Sequence, residues 1–297
     1  MATAQTHTAA RLMLAPSVIA LLIWMIVPLS LTLYFSTLNY NLFNPAETPF
    51  IGLTNYKFFL SDPAFFTALR NTLALVAGVL VITVCGGILL ALLLDQAFWG
   101  VNIVRLLVIA PFFVMPTVAA LVWKNMMMNP VYGVIGQALN AIGIGAIDWF
   151  SVAPLTAVII IVAWQWLPFS TLILLTSLQS LSEDQREAAE MDGAGALSIF
   201  WYITLPHMAR AITVVVLIQT IFLLSIFAEI YVTTSGGPGL QTTNIPYLVY
   251  SQALLQFDVG GASAGGAPPE RPSPRSIRPG KAASTRPNSS KVDSAVR

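Results

Sequence analysis

Apolar residues in this chain come in long unbroken runs, neither spaced as on an amphipathic helix nor alternating as on a half-buried strand. A helix needs roughly 20 mostly apolar residues to cross about 30 Å of hydrocarbon. Five runs reach that scale: about 12–38, 72–94, 106–123, 155–178 and 209–234. The first carries no charge. It is too long for the core of a secretory signal, typically ~7–15 residues, and is expected to be a retained span. The third contains Pro111 and Pro116, which a span tolerates when neighbouring helices satisfy the freed carbonyls. The fourth carries Trp164, Gln165, Trp166 and Pro168, and the fifth continues through Glu229 toward Thr234. The fold class expected from these runs is an all-α membrane protein.

The segments between the runs differ in character. Residues 39–71 are rich in aromatics (Tyr40, Phe43, Phe50, Tyr56, Phe58, Phe59), as an interfacial segment would be. Residues 129–154 contain neither Lys nor Arg. Residues 180–208, followed by Arg210, hold Glu183, Asp184, Arg186, Glu187, Glu190 and Asp192, the one sizeable polar helical stretch of the apolar region. With residues 1–11 in the cytoplasm, Arg11, Arg105, Arg186 and Arg210 fall inside, and Lys57, Arg70 and Lys124 outside. That is a small majority in the sense the positive-inside rule requires.

Composition agrees. Of 297 residues, 56% are hydrophobic and 9% charged, with a mean hydropathy of +0.76, whereas soluble domains run near ~25% charged. A soluble enzyme, a disordered regulator and a nucleic-acid binder are excluded. The net charge of +1 averages two unlike parts. Up to Asp258 there are 7 Lys/Arg against 11 Asp/Glu, and beyond it 7 against 2. The single cysteine, Cys85, lies in an apolar run and is expected to be a buried hydrophobe, so no disulfide or thiolate cluster can form. His7 and His207 are the only histidines, and there is no HExxH pair. Gly280-Lys281 is followed by Ala282 and has no strand before it, so no phosphate-binding loop exists. No cofactor or metal is expected on this chain, and the energy for any work must come from a partner or a gradient.

The polar segment carries a pattern. Glu187-Ala188-Ala189 is followed after three residues by Gly193, and then by Ile203, Leu205 and Pro206, with Asp192 and Phe200 fitting a longer form of the same motif. Residues 183–190 lack Gly and Pro and favour a short helix. Small side chains at Ala188 and Ala189 allow another surface to approach the backbone. Gly193 permits a sharp turn between two short helices, and Pro206 fits the opening of the fifth span. On these residues the chain resembles the membrane subunits of binding-protein-dependent ABC importers, whose EAA loop has this spacing. Gly52-Leu53-Thr54-Asn55-Tyr56, Ala68-Leu69-Arg70-Asn71-Thr72-Leu73 and Thr234-Ser235-Gly236-Gly237-Pro238 resemble the maltose- and polyol-type sugar permeases.

The resemblance implies a type I transmembrane domain over about 12–258 with six spans, five of them recognisable here, and a cytoplasmic coupling loop at 180–208. It implies that this loop docks on an ATP-binding subunit dimer, with Glu187 making a polar contact there, so that ATP is used by the partner. A second permease subunit, a periplasmic or extracellular solute-binding protein, a sugar or polyol substrate and surrounding lipid are the other partners, in a bacterial plasma (inner) membrane. Two features depart from the family pattern. A proline often found shortly after the Leu-Pro pair is absent, and the last span should begin soon after Asp258.

A sugar path needs polar groups within the spans. On a continuous fifth helix, at 100° per residue, Gln219, Phe222, Ser225, Ile226 and Glu229 share one arc, with Gln165 and Trp166 as further candidates on the fourth. The alternative is that such groups bond neighbouring helices or the dimer partner. Residues 259–297 are expected to form a disordered basic tail, whose abrupt change of composition is that of a shifted reading frame replacing the sixth span. The competing functional reading is a channel or gradient-driven secondary transporter, which needs no ATPase-docking loop. A membrane enzyme stands further off, since no paired catalytic carboxylates or nucleophile–base pair is visible.

Overall fold

Helices form every extended element in the computed structural model, which describes residues 3–96 and 98–265, with side chains from Met13 onward. Only two isolated bridges, Leu38 with Phe50 and Asn41 with Asp258, interrupt this pattern among the described residues. The long apolar runs become α1 (Thr3–Ser36), α3 (Pro63–Asp95), α8 (Pro154–Gln179) and α11 (Leu205–Leu223). A short helix α2 (Thr54–Ser61) precedes α3. Helix α3 begins well before the apolar run because Pro63 fits a first turn, and the Asp62 carboxylate caps it by accepting from Ala64 N at 2.8 Å.

Two expected spans are not continuous helices. The third run is divided into α4 (Val101–Ile109), which tightens over Ala110–Phe113, and α5 (Pro116–Val122), which widens over Trp123–Met127. The two halves meet at 105°. The prolines permit the break: Pro111 and Pro116 each remove a backbone donor, and Val114 and Met115 between them leave the helical conformation. The fifth run likewise stops at Leu223 and resumes as α12 (Ala228–Thr233) after a non-helical stretch at 224–227. The remaining elements are short: α6 (Val134–Ala141), α7 (Trp149–Val152), α9 (Glu183–Met191), α10 (Ala196–Ile199), α13 (Ile245–Tyr250) and α14 (Val259–Ser263).

Helix α8 is the centre of the bundle, packed along α3 and against α11. Close approach is made possible by small residues, as expected where packing and hydrogen bonds drive association in lipid. A Cβ on Gly87 of α3 would stand 2.9 Å from the Ser170 Cβ of α8. Leu75, Val79, Val158, Val162, Leu223 and Ile230 fill one end of the core, and Ala91, Leu94, Leu174, Leu178, Met208 and Val215 the other. Cys85 is exposed on the outer side of α3 and does not join this core. An apolar run supplies residues for both the packed and the outward face of a span, so an apolar context does not decide burial.

The outer loops are tied down by asparagines from the resemblance-bearing stretches. Asn55 Nδ2 donates to Ser36 O and Leu38 O, both at 2.9 Å, fastening α2 to the end of α1. Asn71 Nδ2 donates to Leu240 O at 2.8 Å and Thr243 O at 2.9 Å, and Ile245 N donates to Thr72 Oγ1 at 3.0 Å. The expected disordered tail begins too early at 259. Asp258 caps α14 by accepting from Gly261 N at 3.0 Å, Gly260 N donates to Tyr40 O at 3.0 Å, and Gly260, Gly261 and Ala262 are buried. The rest of that expectation, for 266–297, lies outside the described residues.

Candidate coupling loop and membrane cavity

The polar segment folds as helix, turn, helix. Glu183 and Asp184 occupy the first turn of α9, where negative charge complements the helix dipole. The helix closes on itself at its other end. Ala194 N donates to Ala189 O at 2.9 Å and Gly193 N to Glu190 O at 3.0 Å, the paired bonds of a Schellman ending. Gly193 makes this possible with φ +81, and a Cβ there would meet no atom within 4 Å. Its requirement is therefore conformational: a left-handed residue other than glycine is strained by roughly 1–2 kcal/mol even in open space.

Glu187, Ala188 and Asp192 are exposed, and Ala189 is half-buried. Met191 (88% exposed), Leu197 (72%) and Tyr202 (82%) present apolar surface beside them. A cleft of about 780 Å³, lined in part by Asp95, Glu183, Arg186 and Phe200, separates this unit from the ends of α3 and α8. Arg186 and Glu190 approach to 3.7 Å across one turn of α9. Ile203 lies in a wide turn, Phe200–Thr204, that runs directly into α11, and Leu205 and Pro206 are its first residues.

At the other end of α11 is a cavity of about 660 Å³ at the two helix breaks. Its aromatic wall is built from Phe112, Trp166, Phe169 and Phe222, with ring centroids 5.9 Å apart for Phe112–Trp166 and 5.3 Å for Trp166–Phe222. Broken helices leave carbonyls that need donors at membrane depth. Gln165 Nε2 donates to Val114 O at 2.7 Å, and Asn244 Nδ2 donates to Ile226 O. The Gln165 Oε1 atom is buried and has no hydrogen-bond partner among the described residues. Glu229 also lines the cavity, at 3% exposure.

Of the seven residues expected along a solute path, Gln165, Trp166, Phe222, Ser225, Ile226 and Glu229 meet at this cavity. They do so because the chain breaks at 224–227, and not along the continuous helical arc expected from the sequence. Gln219 does not join them. It is fully buried and links three helices, accepting from Thr83 Oγ1 at 2.8 Å and donating to Ser170 Oγ at 2.8 Å and Trp166 O at 3.1 Å. Its role is the bonding of neighbouring helices. Phe112 and Phe169 complete the wall without any pattern in the sequence that singles them out. The available signal was the Pro111/Pro116 pair flanking Phe112, which marks irregular backbone and hence the rim of a cavity.

Comparison with known proteins adds a family. The family described as binding-protein-dependent transport system inner membrane component matches residues 83–264. A probable ABC transporter permease of Sinorhizobium fredii is 35% identical, with 84% of this chain and 81% of that protein covered. The trehalose/maltose transport system permease of Thermococcus litoralis is 32% identical, with 84% and 85% covered. Among solved structures, a chain of a bacterial alginate ABC transporter, in complex with an alginate pentasaccharide-bound periplasmic protein, shares the fold at a TM-score of 0.70. It is 22% identical over 89% of this chain and 90% of the other.

Proposed function

This chain belongs to the inner-membrane components of binding-protein-dependent transport systems, and from that membership we propose that it forms half of the path by which an ATP-driven importer carries a sugar or polyol. It sits in the inner membrane as a multi-pass permease. A second permease completes the path, a solute-binding protein delivers the cargo from outside, and a dimer of ATP-binding subunits docks from the cytoplasm. The chain binds no nucleotide and performs no chemistry on its cargo.

The observation that carries the reading is the continuity of α11. One end emerges from the self-closed turn at Glu187–Gly193 through Ile203, Leu205 and Pro206, and the other supplies Phe222 to the cavity wall. At 1.5 Å per residue its 19 residues span about 28 Å. A displacement imposed on the loop by closing ATPases therefore reaches the cavity through one rigid element. Glu187, Ala188, Ala189, Asp192 and Gly193 are the docking surface in this reading. Exposed Met191 and Leu197 supply apolar area for it. A sugar cargo is supported by the aromatic wall, which suits the C–H face of a pyranose, and by the polar atoms of Gln165, Ser225 and Glu229. The trehalose/maltose assignment of the Thermococcus relative points to the same class.

The test is uptake of labelled trehalose, maltose and sorbitol by the intact transporter in proteoliposomes, with its binding protein present. Uptake should stop without ATP and persist when ionophores collapse proton and sodium gradients. Uptake that follows a gradient without ATP would assign the chain to the secondary transporters instead.

A further inference from the structure

We infer that the cavity at the two helix breaks is a charge filter: Glu229 makes it select neutral or cationic polyhydroxyl solutes over anionic ones. The inference rests on the reading of the chain as a saccharide permease and adds what kind of saccharide passes.

The donor and acceptor inventory carries it. Gln165 is 6% exposed, its Nε2 is committed to Val114 O at 2.7 Å, and its Oε1 has no partner among the described residues. Glu229 is 3% exposed and has, among the described residues, a bond from its own backbone but no ion pair. Lys124, on the segment that follows α5, donates to Val232 O at 3.2 Å. Among the described residues, no Lys, Arg or His lines the cavity, and Ser225 is its one hydroxyl side chain. An ionised carboxylate only accepts, and hydroxyl donors on a solute form short charge-assisted bonds to it. A sugar hydroxyl can donate to both Glu229 and Gln165 Oε1 while the ring's C–H face lies on Trp166 and Phe222. A uronate or phosphate brings a second negative charge and more acceptors to a wall on which the described residues of this chain place no fixed cation. Like charges brought together in a desolvated site oppose binding strongly.

Two measurements test this on the assembled permease–ATPase complex in nanodiscs without its binding protein, so that the binding protein does not choose the ligand. Binding of trehalose, maltose and sorbitol is compared with that of trehalose 6-phosphate, maltobionate and sorbitol 6-phosphate, read by tryptophan fluorescence against a Trp166→Phe control. At least one neutral probe should bind about tenfold or more tighter than its anionic partner, a gap of ~1.4 kcal/mol, and Glu229→Gln should shrink that ratio to about twofold. Equal binding of neutral and anionic probes, an unchanged ratio in Glu229→Gln, or binding by no neutral probe would overturn the filter. The parent reading fails separately, if the intact wild-type transporter takes up no saccharide with ATP.

Discussion

Helix is interrupted both below and above α11, and the two interruptions are held in different ways. At one end, the turn between α9 and α10 satisfies its own backbone. Ala188, Ala189 and Glu190 supply the acceptors within a few residues of the donors, and Gly193 supplies the backbone angle. At the cavity end, the breaks at Val114–Met115 and 224–227 depend on distant side chains. Gln165 reaches Val114 O from α8, and Asn244 reaches Ile226 O from beyond α12. The first is a unit that keeps its shape whatever its surroundings do, which suits a lever. The second exists only while the bundle is assembled, which suits a site that opens and closes when helices shift.

This contrast predicts where substitutions will be felt. Asn71→Ala should be the most damaging to the fold, because it takes the Asn71 donor from buried Thr243 O and cuts the tie to Leu240 O, which keeps only Thr243 N at 3.2 Å. An unsatisfied buried acceptor costs about 1–3 kcal/mol and a lost hydrogen bond about 0.5–1.5, so a loss of roughly 2–4 kcal/mol is expected. It is measured as a drop in the thermal inactivation midpoint of the assembled transporter. A shift smaller than that of a surface variant would mean that these loops are held by something else. Gln165→Leu should follow, at about 1–3 kcal/mol, since Val114 O then has no donor at the helix break.

The same contrast explains how much could be read from the sequence. The polar helix–turn–helix was legible because everything that shapes it is local: Gly and Pro absent from 183–190, Gly193 at the turn, Pro206 at the start of α11. The spans over α1, α3 and α8 were legible from apolar length alone. The breaks in the third and fifth runs were not. Prolines in a span are compatible with either a kink or a division, and only the partner's donor decides between them. The position of Gln219 shows the same limit. Helical periodicity places it with Phe222 and Glu229, but Thr83 and Ser170 on two other helices take its polar atoms. Asn55 and Asn71 stand in stretches that mark the family, and their function here is to clamp loops, which spacing alone does not reveal.

Smaller effects sharpen the comparison further. Gln219→Leu removes bonds between helices, yet the Thr83 hydroxyl proton can turn to Val79 O, 2.9 Å away within its own helix. Interhelical hydrogen bonds in membranes average ~0.6 kcal/mol with a maximum near 1.7, and unfolding measurements should place this variant between those limits. A larger loss would make the hub a structural requirement comparable to Asn71. Arg186→Ala should be nearly silent in stability, at ~0.5 kcal/mol or less, because the pair with Glu190 is exposed. A clear destabilisation would show that α9 is not the self-sufficient unit its backbone bonds make it.

The coupling of the two ends is tested most directly by ATP-driven uptake in proteoliposomes containing matched amounts of wild-type, Gly193→Asn and Gly193→Val transporter. Asparagine tolerates the left-handed backbone that Gly193 adopts at φ +81, whereas a β-branched residue does not. The expected result is uptake near the wild-type rate for Gly193→Asn and a loss of about tenfold or more for Gly193→Val, with basal ATP hydrolysis kept in both. Equal, undiminished uptake in both variants would contradict the account, because it would mean that the shape of this turn does not carry the motion from ATP to the cavity.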